Sequence, residues 1–332
     1  MEIAKLSKLI TPSGTMAISN KARVLREQGK PVIGFGAGEP DFPTPEYVIK
    51  DVQAAAEDTS NHKYSPVAGL TILKEEIVRT SQLYSGINVQ QENILVSNGG
   101  KHAILTTFMS ILNPGDEVLI PSPYWTTYPE AVKISGGNPI IVDTEFDDDF
   151  KINTDQLDSL KTSKTKVLVW VSPSNPTGVV YTKEEAEKIY NWAFENNVWI
   201  LSDELYEHLV YEGITSPSPA QYDTELNNTI VINGVAKAYS MTGWRVGWII
   251  ANADVIDMAK KIQSHATSNV ANISQIAAYS ALKNGLDETK LMKESFNRRR
   301  LYAIEEFSNI ENVNLIKSTG AFYLFPDISY YS

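Results

Sequence analysis

Short apolar runs alternate with amphipathic stretches along the middle of this chain, from residue 93 to residue 232. The apolar runs are rich in valine and isoleucine, which favours buried β-strands. Amphipathic stretches at residues 102–111 and 183–196 predict helices, the second with Thr182 as its N-cap. Alternation of this kind predicts a mostly parallel α/β sheet with helices on both faces. The strands are expected at residues 94–96, 118–120, 139–142, 167–171, 198–201 and 229–232.

The two ends of the chain have different patterns. The first 45 residues are rich in glycine and proline, so we expect an irregular arm. After Ala253 the pattern changes to long helices up to about residue 310, followed by predicted strands at residues 313–315 and 321–325. We therefore expect an arm with part of a small domain over residues 1–45, a large sheet domain over 46–290, and part of a smaller α+β domain over 291–332.

Composition excludes several classes of protein. The chain has 332 residues, of which 42% are hydrophobic and 21% charged, which is typical of a globular protein. A formal net charge of −11 argues against nucleic acid as a partner. The absence of cysteine excludes disulfides, thiolate metal sites and cysteine nucleophiles. No uninterrupted apolar stretch is long enough for a membrane span, so we expect a cytoplasmic protein without a membrane partner.

The histidines, a run of aspartates and a run of arginines do not indicate binding sites. The four histidines are scattered without the spacing of a zinc site, so we expect no metal. Residues 147–149 are three aspartates without the spacing of a calcium loop, and we expect a solvated loop there. Residues 298–300 are three arginines, which we expect on an exposed helix face.

Polar and glycine-rich segments follow four of the predicted strands. Residues 97–101, Ser-Asn-Gly-Gly-Lys, follow one strand and begin a helix, so their N–H groups could hold a phosphate. Ligands of open parallel sheets bind outside the carboxyl ends of the strands. An amide (Asn175), a carboxylate (Asp203), a phenol (Tyr206) and an amine (Lys237) are therefore expected to meet over one crevice.

These residues resemble the fold-type I pyridoxal-phosphate enzymes of the class I and II aminotransferases. The run from Gly234 to Gly247, with Lys237 and Arg245 eight residues apart, is similar to the lysine signature of that family. The resemblance covers the chain from about residue 11 to its end, and it is closest to the bacterial aspartate aminotransferases. The other motifs, in their expected order, are Gly38-Glu39-Pro40-Asp41-Phe42, Lys63 to Gly69, Gly99-Gly100-Lys101, Pro123-Tyr124-Trp125, Asn175-Pro176-Thr177-Gly178, and Asp203 with Tyr206.

The resemblance implies a role for each matching residue in binding pyridoxal phosphate. Lys237 would bind the cofactor aldehyde covalently and then shuttle a proton, while Asp203 would pair with the pyridine nitrogen. Asp203, Lys237 and Tyr206 are thus the implied catalytic residues. The alternatives are a helix N-cap for Asp203 and plain core packing for Tyr206. The full implied cofactor set is Tyr64, Gly99, Gly100, Lys101, Trp125, Asn175, Asp203, Tyr206, Lys237 and Arg245.

Substrate binding is implied less directly. Gly38, Trp125 and Asn175 would contact the substrate, and Lys101 would meet a distal carboxylate, unless Lys101 is simply a solvated residue of the first helical turn. Tyr64 resembles a tyrosine that reaches the phosphate of a second subunit, which implies a homodimer with shared sites. The chain departs from the family pattern at positions 234 and 236, where many members carry a hydroxyl.

The implied activity is the ping-pong transfer of an amino group from an L-amino acid, expected to be aspartate, to a 2-oxo acid, expected to be 2-oxoglutarate. A carbon–sulfur lyase or another β- or γ-eliminating enzyme would share every cofactor residue, so that alternative stays open. The sequence ends before the segment in which members carry an arginine for the substrate α-carboxylate. We therefore expect a small domain that is incomplete, with Arg23 and Arg26 as the nearest substitutes by sequence.

Overall fold

A seven-stranded sheet lies at the centre of the computed structural model, which describes residues 2–12, 14–36 and 38–331. The spatial order is β1-β7-β6-β5-β4-β2-β3, with β7 antiparallel to both of its neighbours and the remaining pairs parallel. The predicted fold class is confirmed, and β7 is a strand that the sequence pattern did not indicate. The strands are β1 (Ile94–Ser97), β2 (Glu117–Pro121), β3 (Asn138–Val142), β4 (Thr165–Val171), β5 (Trp199–Asp203), β6 (Thr229–Gly234) and β7 (Gly247–Ile250).

Helices cover both faces of this sheet. On one side α4 packs against α5 and α8, and elsewhere α9 packs against α2 and α3. A short two-stranded sheet, β8 (Asn314–Leu315) with β9 (Pro326–Asp327), follows the last long helix. The helices are α1 (Gly14–Glu27), α2 (Glu46–Glu57), α3 (Thr71–Thr80), α4 (Gly100–Ile111), α5 (Thr127–Ile134), α6 (Thr154–Leu160), α7 (Lys183–Glu195), α8 (Ala253–Ala266), α9 (Asn272–Asn284) and α10 (Asp287–Ser308). Among the described helices, none is long and apolar enough to cross a membrane.

Alternate residues of each central strand belong to different hydrophobic clusters. In β4, Val167 and Val169 join the cluster under α4 and α8, whereas Leu168 and Trp170 join the cluster on the opposite face. Both faces are buried, which is why these strands are continuous apolar runs rather than alternating ones. Burying each such side chain contributes about 1.5–3 kcal/mol to the free energy of unfolding. The sheet is thus a rigid base for whatever lies at its edge.

Capping explains where α7 begins. The Thr182 side chain accepts a hydrogen bond from the Glu185 backbone N–H over 3.2 Å, and the Glu185 carboxylate accepts one from the Thr182 N–H over 2.6 Å. Both bonds satisfy N–H groups that the first helical turn would otherwise leave unpaired. The predicted N-cap is confirmed.

The N-terminal arm is less irregular than its composition predicts. Residues 14–27 form helix α1, although the glycine- and proline-rich segment at residues 31–36 and 38–45 is irregular as expected. The glycines and prolines are concentrated after residue 30, so averaging over 45 residues concealed a helical stretch with an amphipathic pattern.

Two expectations for the C-terminal part are wrong. Residues 321–325 do not form a strand, because Ala321 adopts a positive φ of 55° and its N–H donates to the Leu209 carbonyl over 2.8 Å. Arg300 does not lie on an exposed helix face, since it is 6% exposed. Its guanidinium donates to the Ser318 carbonyl over 2.6 Å and pairs with Glu212 over 2.7 Å.

Candidate active site

Four groups of polar residues lie just beyond the carboxyl ends of β1, β4, β5 and β6. These strands run in the same direction, so their ends share one edge of the sheet. Gly99 follows β1, Asn175 follows β4, Asp203 ends β5, and Lys237 follows β6. Contacts of Gly99, Asp203, Lys237 and their neighbours form one site at that edge.

A cradle for an anion is formed by the start of α4 and Arg245. Gly99 is the N-cap of α4 with φ +82°, and a Cβ added there would lie 2.6 Å from Nη2 of Arg245. Arg245 donates from Nη1 to the Thr242 carbonyl over 2.9 Å and from Nη2 to the Asn98 carbonyl over 3.4 Å. A helix N-terminus and a guanidinium together favour a phosphate.

The backbone beside this cradle is packed tightly. A Cβ at Gly247 would lie 2.8 Å from the Gly100 nitrogen, and one at Gly234 would lie 2.8 Å from the Val246 carbonyl oxygen. The pairing of β6 with β7 therefore leaves no room for a side chain at position 234. The departure from the family pattern at position 234 is thus compatible with the packing of this chain.

Asp203 lies fully buried at the end of β5. Tyr128 donates its hydroxyl hydrogen to Oδ2 over 2.7 Å, and the Leu205 N–H donates to Oδ1 over 3.3 Å. Burial raises the pKa of Asp203 to about 6, and the Tyr128 hydrogen bond, the Leu205 N–H and the charge of Lys237 oppose that rise. Such a carboxylate is suited to hold a buried cation.

Lys237 is the amine that faces this carboxylate. Its Nζ donates to the Gly38 carbonyl over 2.5 Å and lies 5.6 Å from the centre of the Tyr206 ring. Burial lowers the pKa of Lys237 to about 8, although Glu39 and Asp203 act in the opposite direction. The amine can therefore give up its proton near neutral pH.

Tyr206 packs beside Lys237 and shares a hydrogen bond with another phenol. The hydroxyls of Tyr206 and Tyr323 are 2.6 Å apart. Sequence reasoning identified Tyr206 but missed Tyr323 and also Tyr128, the donor to Asp203. The position of Tyr128 could have identified it from the sequence. It lies three residues after Trp125, on the first turn of α5.

Trp125 and Lys101 lie together on the side of the site next to α4. The ammonium of Lys101 is 4.8 Å from the centre of the Trp125 ring and donates to the Thr127 hydroxyl over 2.8 Å. Partial burial and the nearby charge of Arg245 lower the pKa of Lys101. Two cations close enough to interact leave an excess of positive charge that an anionic ligand would relieve.

The arm is attached across the loop that carries Lys237. Thr44 donates its hydroxyl hydrogen to the Ser240 carbonyl over 3.2 Å, and Trp244 donates its indole N–H to the Thr44 hydroxyl over 3.0 Å. The Ser240 hydroxyl in turn donates to the Phe42 carbonyl. These bonds fix residues 38–44 over the lysine loop.

Other residues named from the sequence are not brought into this network. Arg23 pairs with Glu27 over 2.7 Å, and Arg26 donates to the Val32 carbonyl over 3.0 Å, so both are engaged within the arm. Tyr64 is 91% exposed. Asn175 lines a small cavity together with Tyr124 and Tyr128.

The geometry fits a phosphate-bearing aromatic aldehyde. The glycine cradle with Arg245 can hold a phosphate, and a Cβ at Gly99 would occupy space at the guanidinium. Asp203 can hold a protonated ring nitrogen, and Lys237 supplies an amine for the aldehyde. The donor set therefore suits pyridoxal phosphate.

Comparison with known proteins agrees with this geometry. The family model described as aminotransferase class I and II matches residues 30–331. The chain is 48% identical to an aspartate aminotransferase of Streptomyces avermitilis over 320 residues, covering 96% of this chain and 78% of that protein. It is 40% identical to an aspartate/prephenate aminotransferase of Cereibacter sphaeroides, covering 96% and 80%.

Solved structures give the same result. The aspartate aminotransferase of Thermus thermophilus with maleate superposes with a TM-score of 0.96 at 36% identity, covering 100% of this chain and 86% of that one. The aspartate aminotransferase of Rhizobium meliloti superposes with a TM-score of 0.93 at 35% identity, covering 98% and 82%.

Proposed function

Because this chain belongs to the class I and II aminotransferase family, we propose that it transfers the amino group of aspartate to a 2-oxo acid, with 2-oxoglutarate as the expected acceptor. The family depends on pyridoxal phosphate. The observation that carries the choice of an acidic donor is the placement of Lys101, whose ammonium lies over the Trp125 ring beside the cradle. A distal carboxylate would find there a cation with few competing anions.

The side chains at the strand ends would hold the cofactor and guide protons. Pyridoxal phosphate supplies an aldehyde for the amino group and a ring that accepts electrons from the substrate α-carbon. Asp203 keeps a positive charge on the ring nitrogen, which Tyr128 supports by holding the carboxylate in place. Lys237, with its pKa near 8, could take the proton from the substrate α-carbon and deliver it to the aldehyde carbon of the cofactor, C4′.

The remaining residues would bind and orient. Arg245 and the N–H groups of Gly99 and Gly100 hold the phosphate, while Tyr206 and Asn175 hold the ring oxygen. Trp125 covers one face of the ring and excludes water from it. Gly38 and Asn175 would help to hold the substrate α-carboxylate, and Lys101 would bind the distal carboxylate.

A panel of amino donors tests the reaction itself. Purified protein loaded with pyridoxal phosphate is incubated with aspartate, glutamate, alanine, phenylalanine or cysteine, each with 2-oxoglutarate or oxaloacetate. We expect aspartate and 2-oxoglutarate to give oxaloacetate and glutamate in equal amounts, with no ammonia. Release of ammonia with pyruvate from cysteine, faster than amino transfer from aspartate, would instead assign the chain to the eliminating enzymes.

We also propose that two copies share each site, with Tyr64 of one copy reaching the phosphate bound by the other. The support is the exposure of this phenol, 91%, on a segment that matches the family motif. Mixing Tyr64→Ala subunits with Lys237→Ala subunits tests it. If Tyr64 acts across the interface, the mixture should recover about a quarter of the wild-type rate, whereas no recovery would place Tyr64 in its own site. A cytoplasmic location stays a prediction from the sequence.

A further inference from the structure

The hydroxyl of Tyr323 contacts two groups of the site, Tyr206 and Gly38. On one side it is 2.6 Å from the hydroxyl of Tyr206. On the other side it lies against Gly38, where an added Cβ would collide with it. The rings of Tyr206 and Tyr323 meet edge to face with their centres 5.7 Å apart, so both phenols are fixed.

Each of these two neighbours is connected to the amine of Lys237. The Gly38 carbonyl accepts the hydrogen bond of the Lys237 ammonium over 2.5 Å. The Tyr206 ring lies 5.6 Å from that ammonium. One hydroxyl is therefore in contact with both the backbone that holds Lys237 and the phenol expected to hold the cofactor ring oxygen.

We propose that Tyr323 is a positioning residue that sets the proton affinity of the Lys237 nitrogen, by donating a hydrogen bond to Tyr206 and by fixing Gly38. When Tyr323 donates, the hydrogen of Tyr206 is left to point into the site, and hydrogen bonds in such a chain strengthen one another. The inference rests on the proposed roles of Lys237 and Tyr206.

The backbone that carries Tyr323 is held without help from its hydroxyl. The Ala321 N–H donates to the Leu209 carbonyl over 2.8 Å, and the Tyr211 hydroxyl donates to the Ala321 carbonyl. The Gly320 N–H donates to the Gly178 carbonyl over 2.8 Å. Tyr323→Phe should therefore remove the hydroxyl and leave the segment in place.

The test is a pH titration of the absorbance of the bound cofactor in wild type, Tyr323→Phe and Tyr302→Phe. Tyr302 is 66% exposed on α10 and serves as the matched control. Without the Tyr323 hydroxyl, Tyr206 becomes a weaker hydrogen-bond donor to the cofactor ring oxygen, so it stabilises the deprotonated form of the cofactor bound to Lys237 less. We therefore expect Tyr323→Phe to raise the pH midpoint of the absorbance change by about half a pH unit. The control should leave it unchanged. A midpoint in Tyr323→Phe that is unchanged or lowered overturns the proposal.

Reduction with borohydride separates this result from a failure of the proposed function. Mass spectrometry should locate the reduced cofactor on Lys237 in wild type and in Tyr323→Phe alike. A label on Lys237 with an unmoved midpoint sinks the role of Tyr323 alone. A label on another lysine in wild type sinks the assigned site and this inference with it.

A second variant reaches the same hydroxyl from its other side. Gly38→Ala should push the Tyr323 hydroxyl away from Tyr206 and raise the midpoint as well. Because both variants act on one contact, the double variant should shift the midpoint by less than the two single shifts together. Shifts that add would show that Gly38 and Tyr323 act independently, against the proposal.

Discussion

Tyr128 donates a hydrogen bond to Asp203 over 2.7 Å, and both side chains are buried. The bond lowers the pKa of Asp203 against the effect of burial, which still raises it to about 6. In the cofactor-free chain this carboxylate is therefore ionised at neutral pH with Lys237 as the cation whose charge favours ionisation. In the proposed function, it would pair with a second positive charge, that of the ring nitrogen.

The cofactor-free chain should gain stability from Asp203→Asn at pH 8. The pKa of Asp203 is higher in the folded chain, about 6, than its ordinary value of 3.8, so the folded state binds more protons between these values. Stability therefore falls as pH rises through this window, by about 3 kcal/mol. Urea unfolding at pH 4 and pH 8 should show the variant more stable than wild type at pH 8 only. An equal difference in unfolding free energy between variant and wild type at both pH values would contradict this prediction. With pyridoxal phosphate bound, the variant should lose most of its activity.

Gly99→Ala should weaken cofactor binding beyond its effect on stability. The backbone of Gly99, with φ +82° and ψ 168°, lies in a region that costs alanine about 1–3 kcal/mol, and the new Cβ also displaces the Arg245 guanidinium. Gly115 has a φ of +90° with no atom within 4 Å of an added Cβ, so Gly115→Ala is the matched control for backbone strain. Losing a charge-assisted contact should raise the Kd for pyridoxal phosphate about tenfold or more in Gly99→Ala. A similar Kd in both variants, measured by fluorescence titration, would remove Gly99 from the cradle.

Lys101→Ala should change the choice of amino donor. If Lys101 meets a distal carboxylate, its loss costs about 1.5–3 kcal/mol, or about ten- to a hundredfold in kcat/KM, for aspartate and glutamate. Alanine should react at its wild-type rate. Lys283, whose ammonium lies 5.3 Å from the centre of the Tyr279 ring, offers a control with a similar ring contact on α9. Equal losses for all donors would assign Lys101 to the phosphate instead.

Arg300→Met should destabilise the fold by about 2–4 kcal/mol, because it removes a buried cation from Glu212 and leaves the Ser318 carbonyl without this donor. Arg298→Met, on an exposed position of the same helix, should change stability by less than about 0.5 kcal/mol. Thermal unfolding of both variants measures the difference. Matching transition temperatures would show that the ion pair contributes nothing.

The parts of the molecule that the sequence predicts are those determined by neighbouring residues. The strand runs, the Thr182 cap and the motif that carries Lys237 all depend on residues close together in the chain. Tyr128, Tyr323 and Arg300 act through partners 75, 117 and 88 residues away, and no local pattern marks such pairs. The short strand β7 was missed because its apolar run, residues 248–250, directly follows a motif that we interpreted as a binding loop. The three arginines at residues 298–300 look alike in sequence, and only the packing of α10 buries the last of them.

The hydrogen bond from Arg245 to the Asn98 carbonyl joins residues 147 positions apart, and the five strands β2 to β6 lie between them in the chain. During synthesis, the first strand leaves the ribosome long before Arg245, the proposed phosphate ligand, is made. Closing so long a loop is slow and comes late in folding. Pyridoxal phosphate would therefore bind only a chain whose sheet has already formed as far as the antiparallel strand β7. The absorbance of the bound cofactor would then report the completion of folding, and the cofactor would not assist the early steps.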